Sequence, residues 1–104
     1  MKSYSKEDFI QHLQAYLNGQ SSEDKLYQWS CGFLEVKGSS DLFLNKVWAV
    51  IHKLTEINPD WRTTEEEIRF MLDCLTGKKE FSDKALDIER MKGLNRLYGK
   101  ISNN

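Results

Sequence analysis

The sequence predicts an all-α, single-domain protein, a four- to five-helix antiparallel bundle, and three observations predict it. Apolar residues recur at three- and four-residue spacing along most of the chain. Gly19, Gly38 and Gly77 each close such a segment, with Ser, Thr or another helix starter a few residues later. β-Branched residues are few, and no strand-like alternation is sustained. A chain of 104 residues makes one domain, 1–104, of modest stability, on the order of 5–10 kcal/mol.

The first helix is expected from about Ser5 to Asn18. Ser5 can cap it with Asp8 three residues on, Tyr4 and Phe9 sit at the positions of a hydrophobic staple, and Gly19 stops it. Phe9, Ile10, Leu13, Tyr16 and Leu17 give its apolar stripe. The second helix is expected from about Ser22 to Lys37, with Glu23 and Asp24 at its positive end and Leu26, Trp29, Phe33 and Val36 on its buried face. Cys31–Val36 could pass for a strand, but nothing else in the chain offers it a partner.

The third helix, from about Ser40 to Ile57, is the most hydrophobic and is expected to be central, with Leu44, Val47, Trp48, Ile51 and Leu54 widened by Phe43, Val50 and Ile57. Pro59, the only proline, marks a turn at Asn58-Pro59-Asp60. The fourth helix begins at Thr63 or Thr64, since Thr63 with Glu66 or Thr64 with Glu67 makes a capping box; Ile68, Met71, Leu72 and Leu75 form its buried face. The fifth, a basic C-terminal helix over 82–101, begins at Ser82 with Phe81 and Leu86 as a second staple. Leu86, Ile88, Met91, Leu94, Leu97, Tyr98 and Ile101 continue the period, with interruptions expected at Gly93 and Gly99 and a disordered end at 102–104.

Composition bounds the function. The net charge is −1, which gives no strong general attraction to nucleic acid or an anionic membrane. Residues 1–77 carry 8 basic and 12 acidic residues, whereas 78–104 carry 7 basic and 4 acidic, so an acidic body precedes a basic tail. No run approaches the ~20 apolar residues of a membrane span, and the N-terminus lacks the apolar core of a signal peptide, so a cytoplasmic protein is expected. Cys31 and Cys74, far apart and within apolar helical patterns, read as two buried thiols of a reducing compartment.

Candidate chemistry is sparse. His12 and His52 are isolated, with no metal-ligand spacing around them; His12 reads as solvent-facing and His52 as an edge residue. The serines cluster at helix starts, where capping accounts for them, and no phosphate-binding glycine loop occurs. No catalytic site, metal or cofactor is expected. Asp60-Trp61-Arg62-Thr63-Thr64-Glu65-Glu66-Glu67 is the most informative segment. Capping and dipole complementation explain two of its glutamates, while Trp61 ringed by carboxylates could dock a basic surface. The tail cations read first as a solvated helix face and second as a phosphate-contacting helix, against which Asp83, Asp87 and Glu89 interleave.

One layout goes beyond composition. An amphipathic helix ends in Tyr16-Leu17-Asn18-Gly19-Gln20-Ser21-Ser22. A helix with Trp29 and a hydrophobic helix follow, then the Asp60-Trp61 turn and a Glu-rich helix start leading into Ile68-Arg69-Phe70-Met71-Leu72. Over residues 5–77 this resembles small all-helical bacterial immunity proteins of the self-protective, colicin D immunity-like group; the basic segment 78–104 departs from that pattern. The resemblance implies inhibition by occlusion of a cognate toxin domain, such as a nuclease with a basic cleft, carboxylates standing in for phosphates. It implies Asp60, Trp61, Glu65, Glu66 and Asp73 as contacts, the last at helical spacing from Glu66. A self-associating helical adaptor and a nucleic-acid-binding module using the fifth helix are the alternatives.

Overall fold

A computed structural model of the chain describes residues 4–35 and 41–102. Among these lie five helices and no strand: α1 (Lys6–Leu17), α2 (Glu23–Glu35), α3 (Leu42–His52), α4 (Glu65–Leu75) and α5 (Asp83–Ser102), with a turn of 3-10 helix at Pro59–Trp61. Consecutive helices from α1 to α3 run antiparallel, as do α4 and α5, in a particle 52 × 27 × 23 Å. Val36, Lys37 and Gly38, and Asn103 and Asn104, lie outside the described residues. Ser102, expected in a disordered end, closes α5.

Local chemistry sets the helix starts. Ser5 and Asp8 form a reciprocal capping box, as do Thr64 and Glu67. Ser22 and Ser82 each accept a backbone N–H three residues on, and Asp41 accepts from Phe43 and Leu44. Gly19 and Gly77 take φ of 79° and 82° after α1 and α4, where a side chain would be strained.

α1, α2 and α3 meet through aromatic rings. Phe9 and Phe33 are fully buried with centroids 5.7 Å apart, Trp29 packs across Tyr4 at 4.9 Å, and Trp48 stacks on Phe33 at 6.1 Å. The polar edges of these rings are satisfied. Tyr4 Oη donates to the Trp29 carbonyl (2.6 Å) and Trp48 Nε1 to the Ser30 carbonyl (2.9 Å). His12, expected to face solvent, is half-buried and stacks on Trp29 at 3.8 Å. That burial lowers its pKa, against a smaller upward pull from Asp8. α4 completes the core with Ile68, Phe70, Met71 and Leu75.

Three further expectations are corrected. α3 stops at His52, five residues early, because the Lys53 carbonyl turns to accept from Glu56 and Thr63 and the Val50 carbonyl accepts the Thr63 hydroxyl (2.6 Å). Leu54 still reaches the core, but Ile57 is left exposed. α5 runs unbroken through Gly93 and Gly99, and Ile88, Met91, Leu97 and Tyr98 lie exposed rather than buried. Cys31 is exposed and Cys74 half-buried, both as free thiols. Cys31 is two residues from both Trp29 and Phe33, which puts it on the opposite side of α2.

Candidate docking groove

The segment between α3 and α4 is held at nearly every turn. Asn58 Oδ1 accepts from the Asp60 N–H (3.0 Å), and Pro59 supplies the fixed φ of the first turn position. Arg62 points backwards, its Nε donating to the Glu56 carbonyl (2.9 Å). Thr63 is tied to α3 through its hydroxyl and its N–H. Trp61 is turned outward and 63% exposed, and Ile57 earlier in the segment is exposed as well.

α5 fastens this turn from the other side. Arg90 donates to the carbonyls of Asp60 and Arg62 and to Glu67 Oε1, the last at 3.0 Å. Glu67 is buried and also accepts the Thr64 N–H (2.9 Å) and hydroxyl (3.0 Å), so its charge is both paired and hydrogen-bonded. One planar guanidinium thus joins α5, the Trp61 turn and the cap of α4, a task a lysine's point charge does less well. One turn further, a Cβ on Gly93 would lie 2.5 Å from the Thr64 side chain, so the glycine permits this approach.

Trp61 stands at the rim of a groove of about 640 Å³ between α3 and α5. Val50 and Leu86 form its apolar floor. Lys46 and Lys53 line the α3 side, and Asp83 and Asp87 the α5 side. Lys46 Nζ meets Asp83 Oδ1 at 3.0 Å, bridging the two walls. Exposed Leu42 adds a second large apolar contact to the rim.

The five residues singled out from sequence do not form one surface. Trp61 lines the groove, and its exposed neighbour Asp60 gives its carbonyl to Arg90. Glu65, exposed, pairs with Arg69 (3.0 Å), and Glu66 is forked by Arg96 at 2.6 and 3.0 Å. That hydrogen bonding lowers the Glu66 pKa and raises that of Arg96. Asp73 is half-buried, pairs with Lys79 (3.6 Å), and lies roughly 10 Å along α4 from Glu66. The tail cations are not a uniformly solvated face, because Arg90 and Arg96 bind α4 and Lys92 binds Glu89 (3.2 Å).

Sequence reasoning missed Arg90, Lys53, Asp87 and Leu42. No local pattern pairs Arg90 with residues some 30 positions earlier. Leu42 carried a weak signal as a large apolar residue in the first turn of a helix, off its apolar stripe. Among the described residues, no group of three or more His, Cys, Asp or Glu side chains could hold a metal ion. None of the described helices is long and apolar enough to cross a membrane. Comparison with models of protein families, with curated proteins and with solved structures finds no match.

Proposed function

We propose that this chain acts by binding another protein, whose amphipathic helix lies in the α3–α5 groove with Trp61 as the anchor. Trp61 carries this reading. It is a large aromatic side chain kept exposed by a turn whose backbone is fixed from two sides, so binding costs little ordering of the turn. Lys46 and Asp83 already pair with each other, so the groove suits a helix with an apolar stripe flanked by an acid toward Lys53 and a base toward Asp87.

The narrower reading is immunity-type inhibition, in which the partner is a cognate toxin domain. Its support is the layout of residues 5–77 and the exposed Asp60-Trp61 turn. The ion pairing of Glu65, Glu66 and Asp73 shifts the expected contacts from these carboxylates toward Trp61 and the groove rims. Nucleic-acid binding through α5 fits less well, since Arg90, Arg96 and Lys92 already have carboxylate partners.

The test is co-expression of the tagged chain with the C-terminal domain encoded immediately upstream in its own genome. A stoichiometric complex with rescue of growth is expected, with affinity falling on the order of 100-fold in Trp61→Ala while helical content is unchanged. A complex that Trp61→Ala and Lys53→Glu both leave intact would place docking elsewhere. No complex and no toxicity would remove the immunity reading.

A further inference from the structure

We propose that α5 carries a second surface, a heptad seam through which two copies of this chain pair as parallel helices. Lys84, Ile88, Met91, Asn95 and Tyr98 follow one another at steps of four, three, four and three, the spacing of alternating core positions in a two-stranded coiled coil. Ile88, Met91 and Tyr98 are 48%, 57% and 42% exposed, and Asn95 is exposed between them. Gly93, packed on Thr64, lies on the far side of the helix, so α4 leaves the seam uncovered. Lys84 falls in the first turn, where its long stem can carry the ammonium out to water.

Two features select a second copy, in parallel register, as the occupant. Asp87 and Lys92 flank the seam on opposite sides, five residues apart, and both are exposed. In a parallel pair this is the spacing at which a flanking residue of one helix reaches its counterpart on the other, so two symmetric Asp87–Lys92 ion pairs form. Lys92 now contacts Glu89 in its own helix, and its flexible stem lets the ammonium be shared. An antiparallel pair would instead set Lys92 beside Lys92. Asn95 points the same way. In parallel register its amide meets its own copy and both are satisfied, whereas antiparallel pairing sets it against Met91 with no hydrogen-bond partner.

The seam spans roughly 20 Å of helix. The area is small, below ~1,200 Å², so association is weak and concentration-dependent. The seam lies about a quarter turn round α5 from the groove and shares only Asp87 with the groove wall, so pairing engages that carboxylate and leaves Trp61 and the α3 side of the groove open.

The experiment is sedimentation equilibrium of the full chain over a concentration series. A monomer–dimer equilibrium is expected, weakened roughly 100-fold by Met91→Glu with helical circular dichroism unchanged. Asp87→Lys and Lys92→Asp, both at exposed positions that spare the core, should each weaken self-association, and their equimolar mixture should restore it as a heterodimer. In a Cys31→Ser, Cys74→Ser background, Asn95→Cys should form a disulfide-linked dimer on oxidation. A monomer at every concentration overturns the proposal, as does a dimer indifferent to Met91→Glu. A charge-swap mixture no tighter than its components, or an Asn95→Cys chain that does not cross-link, overturns the parallel register.

Discussion

The α1–α2–α3 side of the molecule and the junction of α4, α5 and the Trp61 turn are held by different physics. On the first side, rings fill the space between helices, and their few polar atoms find nearby carbonyls. At the junction, a buried carboxylate, a guanidinium, two threonine hydroxyls and a glycine bring helix ends together. Area burial tolerates small shifts in position and is non-directional. A forked hydrogen-bond hub fixes a backbone in one place, and that is what a turn presenting a tryptophan needs. The core supplies stability and the junction supplies placement.

Four substitutions probe this division, from the largest effect to the smallest. Phe9→Ala empties the middle of the ring cluster and should cost about 4 kcal/mol, read from the urea midpoint, with little dependence on salt. Arg90→Ala leaves Glu67 buried without its cation and should cost about 3 kcal/mol. It should also shift Trp61 emission in a Trp29→Phe, Trp48→Phe background. If emission and stability both stay put, the junction is not the hub described.

Gly93→Ala would gain helix propensity anywhere else in α5, yet here its methyl meets Thr64 at the cap of α4. A net loss of about 1–2 kcal/mol is expected, set against little change or a gain for Gly99→Ala in open space. Arg96→Gln breaks a half-exposed pair and should cost only about 0.5 kcal/mol near neutrality. Its signature is in the pH profile. Bonding to Arg96 lowers the folded-state pKa of Glu66, so the pair's contribution is complete above the ordinary carboxylate range and is lost as pH falls through the lowered value. A thermal melt series in acid should show a shallower loss for Arg96→Gln than for the parent chain.

The same contrast explains what the sequence made legible. Ser5 with Asp8, Thr64 with Glu67, and the stripes through Phe9 and Leu13 or Ile68 and Met71 are local patterns, and local patterns set these helices. The early stop of α3 was not legible. It depends on Thr63 reaching back to Val50, a contact made only once the chain has turned. α5 misled for another reason. Its apolar residues run round more than one face, so periodicity marks a helix without saying which face is covered, and only the fit of Gly93 on Thr64 decides. Trp61 was singled out as a candidate contact from its acidic surroundings, and it is exposed. Glu65, Glu66 and Glu67 beside it are engaged within the chain, while the cation that positions the turn lay nearly thirty residues downstream.

The docking of α5 has a consequence for motion. Its main helical neighbour is α4, and the clasp at Arg90 and the Arg96–Glu66 fork are among its chief polar ties to the rest of the chain. A helix held mainly along one side can detach while the ring cluster of α1–α3 stays closed. Amide hydrogens of α5 should therefore exchange with solvent through a partial opening, well before those of α2 and α3, and a protease should find its first cut there. Each such opening frees the Trp61 turn on its α5 side and leaves it tied to the end of α3 through Thr63, so the tightest placement of the exposed tryptophan lasts as long as the last helix stays docked.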